Sequence, residues 1–178
     1  MCQTFKVVLK NYCLTNIFKI MEHFASKGQN ALDPKEAHKY LKAIETLIKA
    51  KPYRELGMEK LNELDTKSLS KEQLVTYHYL NGRYFLYKFK EESDLEHLEW
   101  ANDFFDNVFS FAFKANIKIK DARLFYSRAY TKFKLSQLVW EEERKPWLLK
   151  KATEITEKAL QLNPQNESFR WLQNQLLA

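Results

Sequence analysis

The sequence predicts an all-α fold built of antiparallel helical hairpins stacked side by side. Three observations carry this expectation: turn-forming residues are scarce, apolar residues recur at three- and four-residue steps, and helix-start signals punctuate the chain. The 178 residues hold only three glycines (Gly28, Gly57, Gly82) and four prolines (Pro34, Pro52, Pro146, Pro164), whereas an all-β fold consumes such residues at every hairpin. Apolar residues make up 45% and aromatic residues 15%, enough core-forming side chains to exclude a disordered chain. A chain of this length forms one domain with a real core by default.

Residues 1–21 contain Lys6, Lys10 and Lys19 and no acidic residue, with Phe5, Val8, Leu9, Tyr12, Ile17, Ile20 and Met21 at mostly helical spacing. This is an amphipathic stretch. Its longest apolar run, Val7 to Leu9, falls far short of the ~20 residues that span a bilayer, and no secretory signal is expected. Three readings stand open: a first helix packed on the domain, an extension upstream of a start at Met21, or a surface anchor on anionic membranes. Residues 1–28 are therefore set apart from a helical repeat domain over 29–178. The two cysteines, Cys2 and Cys13, both lie early and cannot staple the later core, which points to a reducing, cytoplasmic setting.

Asp33-Pro34-Lys35-Glu36 supplies an N-cap acceptor, a proline whose missing N–H is harmless in the first turn, and a capping-box glutamate. Behind it Ala37, Tyr40, Leu41, Ile44, Leu47 and Ile48 form one apolar stripe that ends before Lys51-Pro52. A weaker helix with Leu56, Leu61 and Leu64 is expected next, despite Gly57. Ser70-Lys71-Glu72-Gln73 and Ser93-Asp94-Leu95-Glu96 read as two further capping boxes that bracket a hairpin. Asp121 is a candidate cap for the next helix, Pro146 suits the first turn of another, and Asn163-Pro164 ends it. A short amphipathic tail with Phe169, Leu172, Leu176 and Leu177 follows. Seven or eight helices result. Ile117-Lys118-Ile119 alternates like a strand but lies where a helix connection is expected.

The second helices of the last two hairpins share an order of sizes. Ala101 is followed by Phe105 and Val108, and Ala152 by Thr156, Ala159 and then Pro164. Small residues at this spacing let helices approach closely, and the proline stops the helix so that the chain can reverse. In the first helices, Tyr79 with Gly82 and Tyr126 with Ala129 pair an aromatic with a small residue three positions on. The run from Ala152 to Asn166 resembles the end of a tetratricopeptide repeat, with Thr156 standing where the family has a bulky residue. The resemblance covers about residues 70–178. Ala101 and Ala152 are 51 residues apart and Gly82 and Ala129 are 47 apart, against about 34 in the family, so longer helices or added turns must absorb the difference. The resemblance implies a short right-handed solenoid whose first helices line a concave ligand surface. It places Tyr79, Arg83, Arg123, Tyr126 and Tyr130 there. The family's two-carboxylate clamp spans three units and is not carried over onto the two recognisable ones.

No catalytic constellation accompanies these signals. The glycines are at least 25 residues apart, so no phosphate-cradling loop exists, and no serine stands between near glycines as a nucleophile elbow. Asp94 and His97 have the step of a helical di-metal site, but Ile20, Lys35 and Val75 precede the other histidines at that step, so its second half is missing. Neither a metal nor another cofactor is expected, and no enzyme.

The formal charge is +6. Glu91, Glu92, Asp94, Glu96, Glu99, Asp103 and Asp106 make one stretch acidic, and Lys114, Lys118, Lys120, Arg123, Arg128, Lys132 and Lys134 make the next basic. Either the neighbouring helices complement each other, or the basic one lines a groove for an acidic peptide or a phosphate backbone. Rings crowd at Tyr77, Tyr79, Tyr84, Phe85, Tyr87 and Phe89 and again at Phe104, Phe105, Phe109, Phe111 and Phe113. Most must be core, with an excess left for an exposed surface. The leading expectation is an adaptor that binds a peptide or protein segment. The alternative is a nucleic-acid-binding protein that uses the basic stretch 114–134.

Overall fold

The computed structural model describes residues 15, 17, 19–22 and 33–177, and every regular element among them is helical. Two compact units comprise residues 1–77 and 78–178, and the division falls inside one helix.

In the first unit, α1 (Pro34–Lys49) begins where Asp33 accepts from the Lys35 amide at 3.0 Å. Its stripe of Ala37, Tyr40, Leu41, Ile44, Leu47 and Ile48 is buried as the periodicity predicts. A 3-10 turn over Lys51–Tyr53 leads into α2 (Arg54–Asn62), where Leu61 is fully buried and Leu64 lies past the helix end. Arg54 is buried and donates from Nε to the Ile48 carbonyl at 2.8 Å. It thereby satisfies a carbonyl left open at the end of α1 and puts a cation at the negative end of the helix dipole. Gly57 is what lets α2 come this close, because a Cβ there would lie 2.9 Å from the Ile48 nitrogen. Of the amphipathic N-terminal stretch, residues 19–22 are helical, and Ile17 and Met21, one turn apart, are buried. The remaining expectations for 1–28 fall outside the described residues.

α3 (Lys71–Glu92) starts with a complete capping box: the Gln73 amide donates to Ser70 Oγ, and the Ser70 amide donates to Gln73 Oε1. The second box differs from expectation. Ser93 takes a left-handed conformation, φ 58°, and ends α3, so Asp94 is the cap and accepts from the Glu96 amide. The chain thus passes from α3 to α4 (Leu95–Lys114) through two residues. α4 closes with Asn116 at φ 56°, where the Ile117 amide reaches the Ala112 carbonyl and the Asn116 amide reaches that of Phe113. Asparagine here takes the place glycine usually holds in this terminator. Residues 117–119 form no strand. Asp121 then caps α5 (Ala122–Leu138) as expected. α6 (Arg144–Leu162) carries Pro146 in its first turn and stops at Asn163, and Asn166 accepts from the Ser168 amide to open α7 (Glu167–Leu177).

The helices of the second unit pack antiparallel in sequence order. His78 meets Phe111, and Phe85 meets Phe104 and Trp100, across α3 and α4. Phe109 meets Phe125 across α4 and α5. Ala129 and Phe133 of α5 share a core with Ala152 and Ile155 of α6 and Leu172 of α7. Small residues make these approaches possible. A Cβ on Gly82 would lie 2.6 Å from Phe105 Cε1, and Phe105 is itself buried. Thr156 is buried and donates its hydroxyl to the Ala152 carbonyl at 2.8 Å. The polar atom is therefore satisfied within its own helix.

Two outcomes test this packing. Gly82→Ala gains about 1 kcal/mol of helix propensity but forces the confined Phe105 ring to move at a cost of roughly 1–3 kcal/mol. A net loss of stability is expected in urea unfolding, recovered in part when Phe105→Leu is added. His78 is partly buried, and burial holds its pKa below the ordinary 6.5. The unfolded chain therefore takes up this proton first as pH falls, so the His78 contribution is full above pH 6.5 and is lost below it, toward the folded pKa. Urea unfolding on either side of that pH is expected to show a smaller acid-side loss for His78→Gln than for the parent.

Candidate functional site

α3 places Tyr79, Arg83, Tyr87 and Lys90 at steps of three and four residues, so all four lie on one side of the helix. Arg83 donates from Nη1 to the Tyr79 hydroxyl at 3.2 Å and from Nη2 to the Tyr87 hydroxyl. Its guanidinium also lies 4.8 Å from the Tyr87 ring centre. Tyrosines hold this cation, with no carboxylate among its partners in the described residues. Lys90 places its ammonium 5.2 Å from the ring centre of Tyr130 on α5, again without a carboxylate partner among the described residues. Burial, followed by the like charge of Arg83, lowers the Lys90 pKa. The two cations therefore feel each other on one face.

α5 and α7 supply the rest of that face. Tyr126 and Tyr130 stack with ring centres 5.8 Å apart, Tyr126 packs edge-on against buried Phe169, and Trp171, itself exposed, lies 6.4 Å from Tyr130. Burial raises the pKa of both tyrosines. For Tyr126 the Tyr130 hydroxyl adds to the rise and Arg83 opposes it. Arg83, Arg123 and Tyr126 line a small cleft of about 120 Å³ with Ala122, Asn166 and Ser168. Arg123 is anchored there by its Nε and Nη2 donors to Asp121, the residue that also caps α5.

Of the five residues the resemblance placed on one surface, Arg83, Arg123 and Tyr126 meet at this cleft and Tyr130 stacks beside them. Tyr79 is buried against Phe105, and its hydroxyl is an acceptor for Arg83. Sequence reasoning missed Tyr87, Lys90 and Trp171. The signal for the first two was their spacing from Arg83 along one helix. Trp171 carried none, because its approach to Tyr130 depends on how α7 folds back.

The other side of α5 carries a buried ion cluster. Lys132 is 1% exposed and donates to Asn102 Oδ1 at 2.9 Å and Asp106 Oδ2 at 2.7 Å. Asp106 also accepts from Arg128 Nε at 2.7 Å. Burial lowers the Lys132 pKa, and the Asp106 hydrogen bond opposes it. Lys132 also sits 5.2 Å from the Trp147 ring centre, while Arg144 grips Glu99 with two bonds of 2.7 Å. Thus Asp106 is the acidic residue that joins α4 to the basic helix α5, and Glu99 turns instead to α6.

Among the described residues no group of three or more His, Cys, Asp and Glu side chains could hold a metal ion, and no helix is long and apolar enough to cross a membrane. His97 lies against Glu92 at 3.3 Å and among the rings of Phe85 and Trp100. Compared with protein families, characterised proteins and solved structures, the chain finds no match.

The ion cluster makes a clear prediction. Asp106→Asn leaves Lys132 buried without its counter-charge. A loss of about 2 kcal/mol is expected, below the roughly 3–5 kcal/mol of a fully buried pair because Asp106 is itself one-third exposed. Adding Lys132→Met should restore most of the loss in equilibrium urea unfolding.

Proposed function

We propose that residues 78–178 form a non-catalytic, tetratricopeptide-like binding module that takes an acidic segment of a partner protein on the face made by α3, α5 and α7. One observation carries this: Arg83 and Lys90 lie on that face against tyrosine rings with no carboxylate among the described residues to neutralise either. A cation left without a carboxylate attracts an anionic partner, and the rings of Tyr126, Tyr130 and Trp171 offer apolar contact area with few rotamers to freeze. In this reading Arg83, Arg123, Tyr126 and Tyr130 touch the partner, and Tyr79 holds Arg83 in place.

Contacts between alternate helices support the repeat reading. Lys90 reaches Tyr130 from α3 to α5, Tyr126 reaches Phe169 from α5 to α7, and Arg144 reaches Glu99 from α6 to α4. Stacked helix pairs make such contacts, since each pair buries its apolar side on the next. The nucleic-acid alternative has less support, because Arg123, Arg128 and Lys132 of the basic stretch already bond to Asp121 or Asp106. A cytoplasmic setting belongs to the same proposal.

The test is affinity capture from a lysate with the full chain and with a variant carrying Arg83→Glu and Lys90→Glu. The proteins held by the parent should be lost from the variant and should elute with rising salt. Retention of the same proteins by the variant refutes the face, and retention of both forms on RNA at low salt, with no protein captured, favours the alternative.

A further inference from the structure

A second concavity, of about 500 Å³, opens on the other side of α5, between α4, α6 and the connection 115–121. Part of its wall is apolar: Phe109 and Phe125, in edge contact at 5.0 Å, lie with Ile155 and Trp147. Ile117 and Ile119, from the connection after α4, close one side. The left-handed Asn116 delivers them there by reversing the chain at the end of α4. Phe113 stands at this site 86% exposed.

Charge distinguishes this concavity from an ordinary packing defect. Four cations, Arg128, Lys132, Lys151 and Lys158, line it against two carboxylates, Asp106 and Glu154. Asp106 is shared by Lys132 and Arg128, and Glu154 is bonded by Lys151 at 2.8 Å. The terminal nitrogens of Arg128 and the Lys158 ammonium have no bonded partner among the described residues. Arg128 is held over the Phe109 ring, 4.4 Å from its centre, so its unused donors stand beside an apolar wall.

The geometry points to a binding site for a small organic anion with an apolar body, its acid group on Arg128 and Lys158 and its body on Phe109, Phe125 and Ile155. The volume lies within the roughly 300–1,000 Å³ of clefts that enclose a small molecule. An exposed stripe of this length on a phosphate backbone would not require the apolar walls, and a neutral apolar ligand would leave the excess cations unused. This site shares no residue with the α3, α5 and α7 face, so either assignment stands without the other.

The experiment titrates the full chain with 1-anilinonaphthalene-8-sulfonate, followed by fluorescence, beside N-phenyl-1-naphthylamine, its neutral counterpart. One sulfonate probe should bind per chain at least about tenfold more tightly than the neutral one. Decanoate should displace it, and decanol should not. Phe113→Asp and Lys158→Gln, both surface changes, should each weaken the probe by about tenfold or more, while Arg83→Glu leaves it unchanged. Near-ultraviolet circular dichroism establishes that each variant keeps its packed rings. Equal affinity for the two probes, indifference to both groove variants, or loss with Arg83→Glu overturns the proposal. Displacement by a hexaglutamate peptide at lower concentration than by decanoate overturns it in favour of a peptide groove.

Discussion

The second unit is organised around one buried ammonium. Lys132, 1% exposed, is held by Asp106 and Asn102 of α4 and lies over Trp147 of α6, so a single side chain of α5 sets its distance to both neighbours. Burying a lysine costs several kcal/mol unless its hydrogens find acceptors, and the two acceptors it finds, Asn102 and Asp106, are four residues apart on one helix face. A slip of α5 along α4 by a turn would take the ammonium away from one of the two. Hydrophobic packing of Ala129 and Phe133 against Ala152 and Ile155 of α6 is less directional and tolerates sliding in a way that a desolvated charge does not.

That register divides α5 into two working sides. Tyr126 and Tyr130, one turn apart, look toward α3 and α7, where Arg83 and Lys90 rest on tyrosine rings. Arg128 and Lys132, also one turn apart, look toward α4 and α6 and share Asp106. The basic character of this helix is therefore not one property. On one side the tyrosine rings hold the cations Arg83 and Lys90 that come from α3, and on the other Arg128 and Lys132 of α5 itself share one carboxylate, Asp106.

Much of this was legible locally. Asp33, Asp121 and the Ser70–Gln73 pair cap helices as their sequence neighbourhoods indicate, because capping is decided within four residues. The stripe of α1 was legible because a period of three and four fixes a face. What escaped depended on the third dimension or on a backbone angle. Ser93 adopts a left-handed conformation that moves the cap to Asp94, and nothing in the hydroxyl itself announces this. Gly57 reads as a weakness in a helix, yet it is the point where α2 meets Ile48. The ring of Tyr79 sits in the core where the repeat resemblance had placed it on a surface, since its aromatic-then-small spacing also fits packing beside Gly82. The bonds of Lys132 reach back 26 and 30 residues, a distance at which spacing carries no information.

The abrupt junction at Ser93 and Asp94 bears on how the chain finds its fold. Loop closure entropy rises with the length of chain that must be brought round, and this is the shortest of the connections in the second unit, against residues 115–121 between α4 and α5. α3 and α4 can therefore meet ring against ring at small entropic cost, with Phe105 seated on Gly82. Contacts so close in sequence favour rapid assembly. The residue that makes the tight reversal possible is one strained serine rather than any of the hydrophobic side chains it brings together.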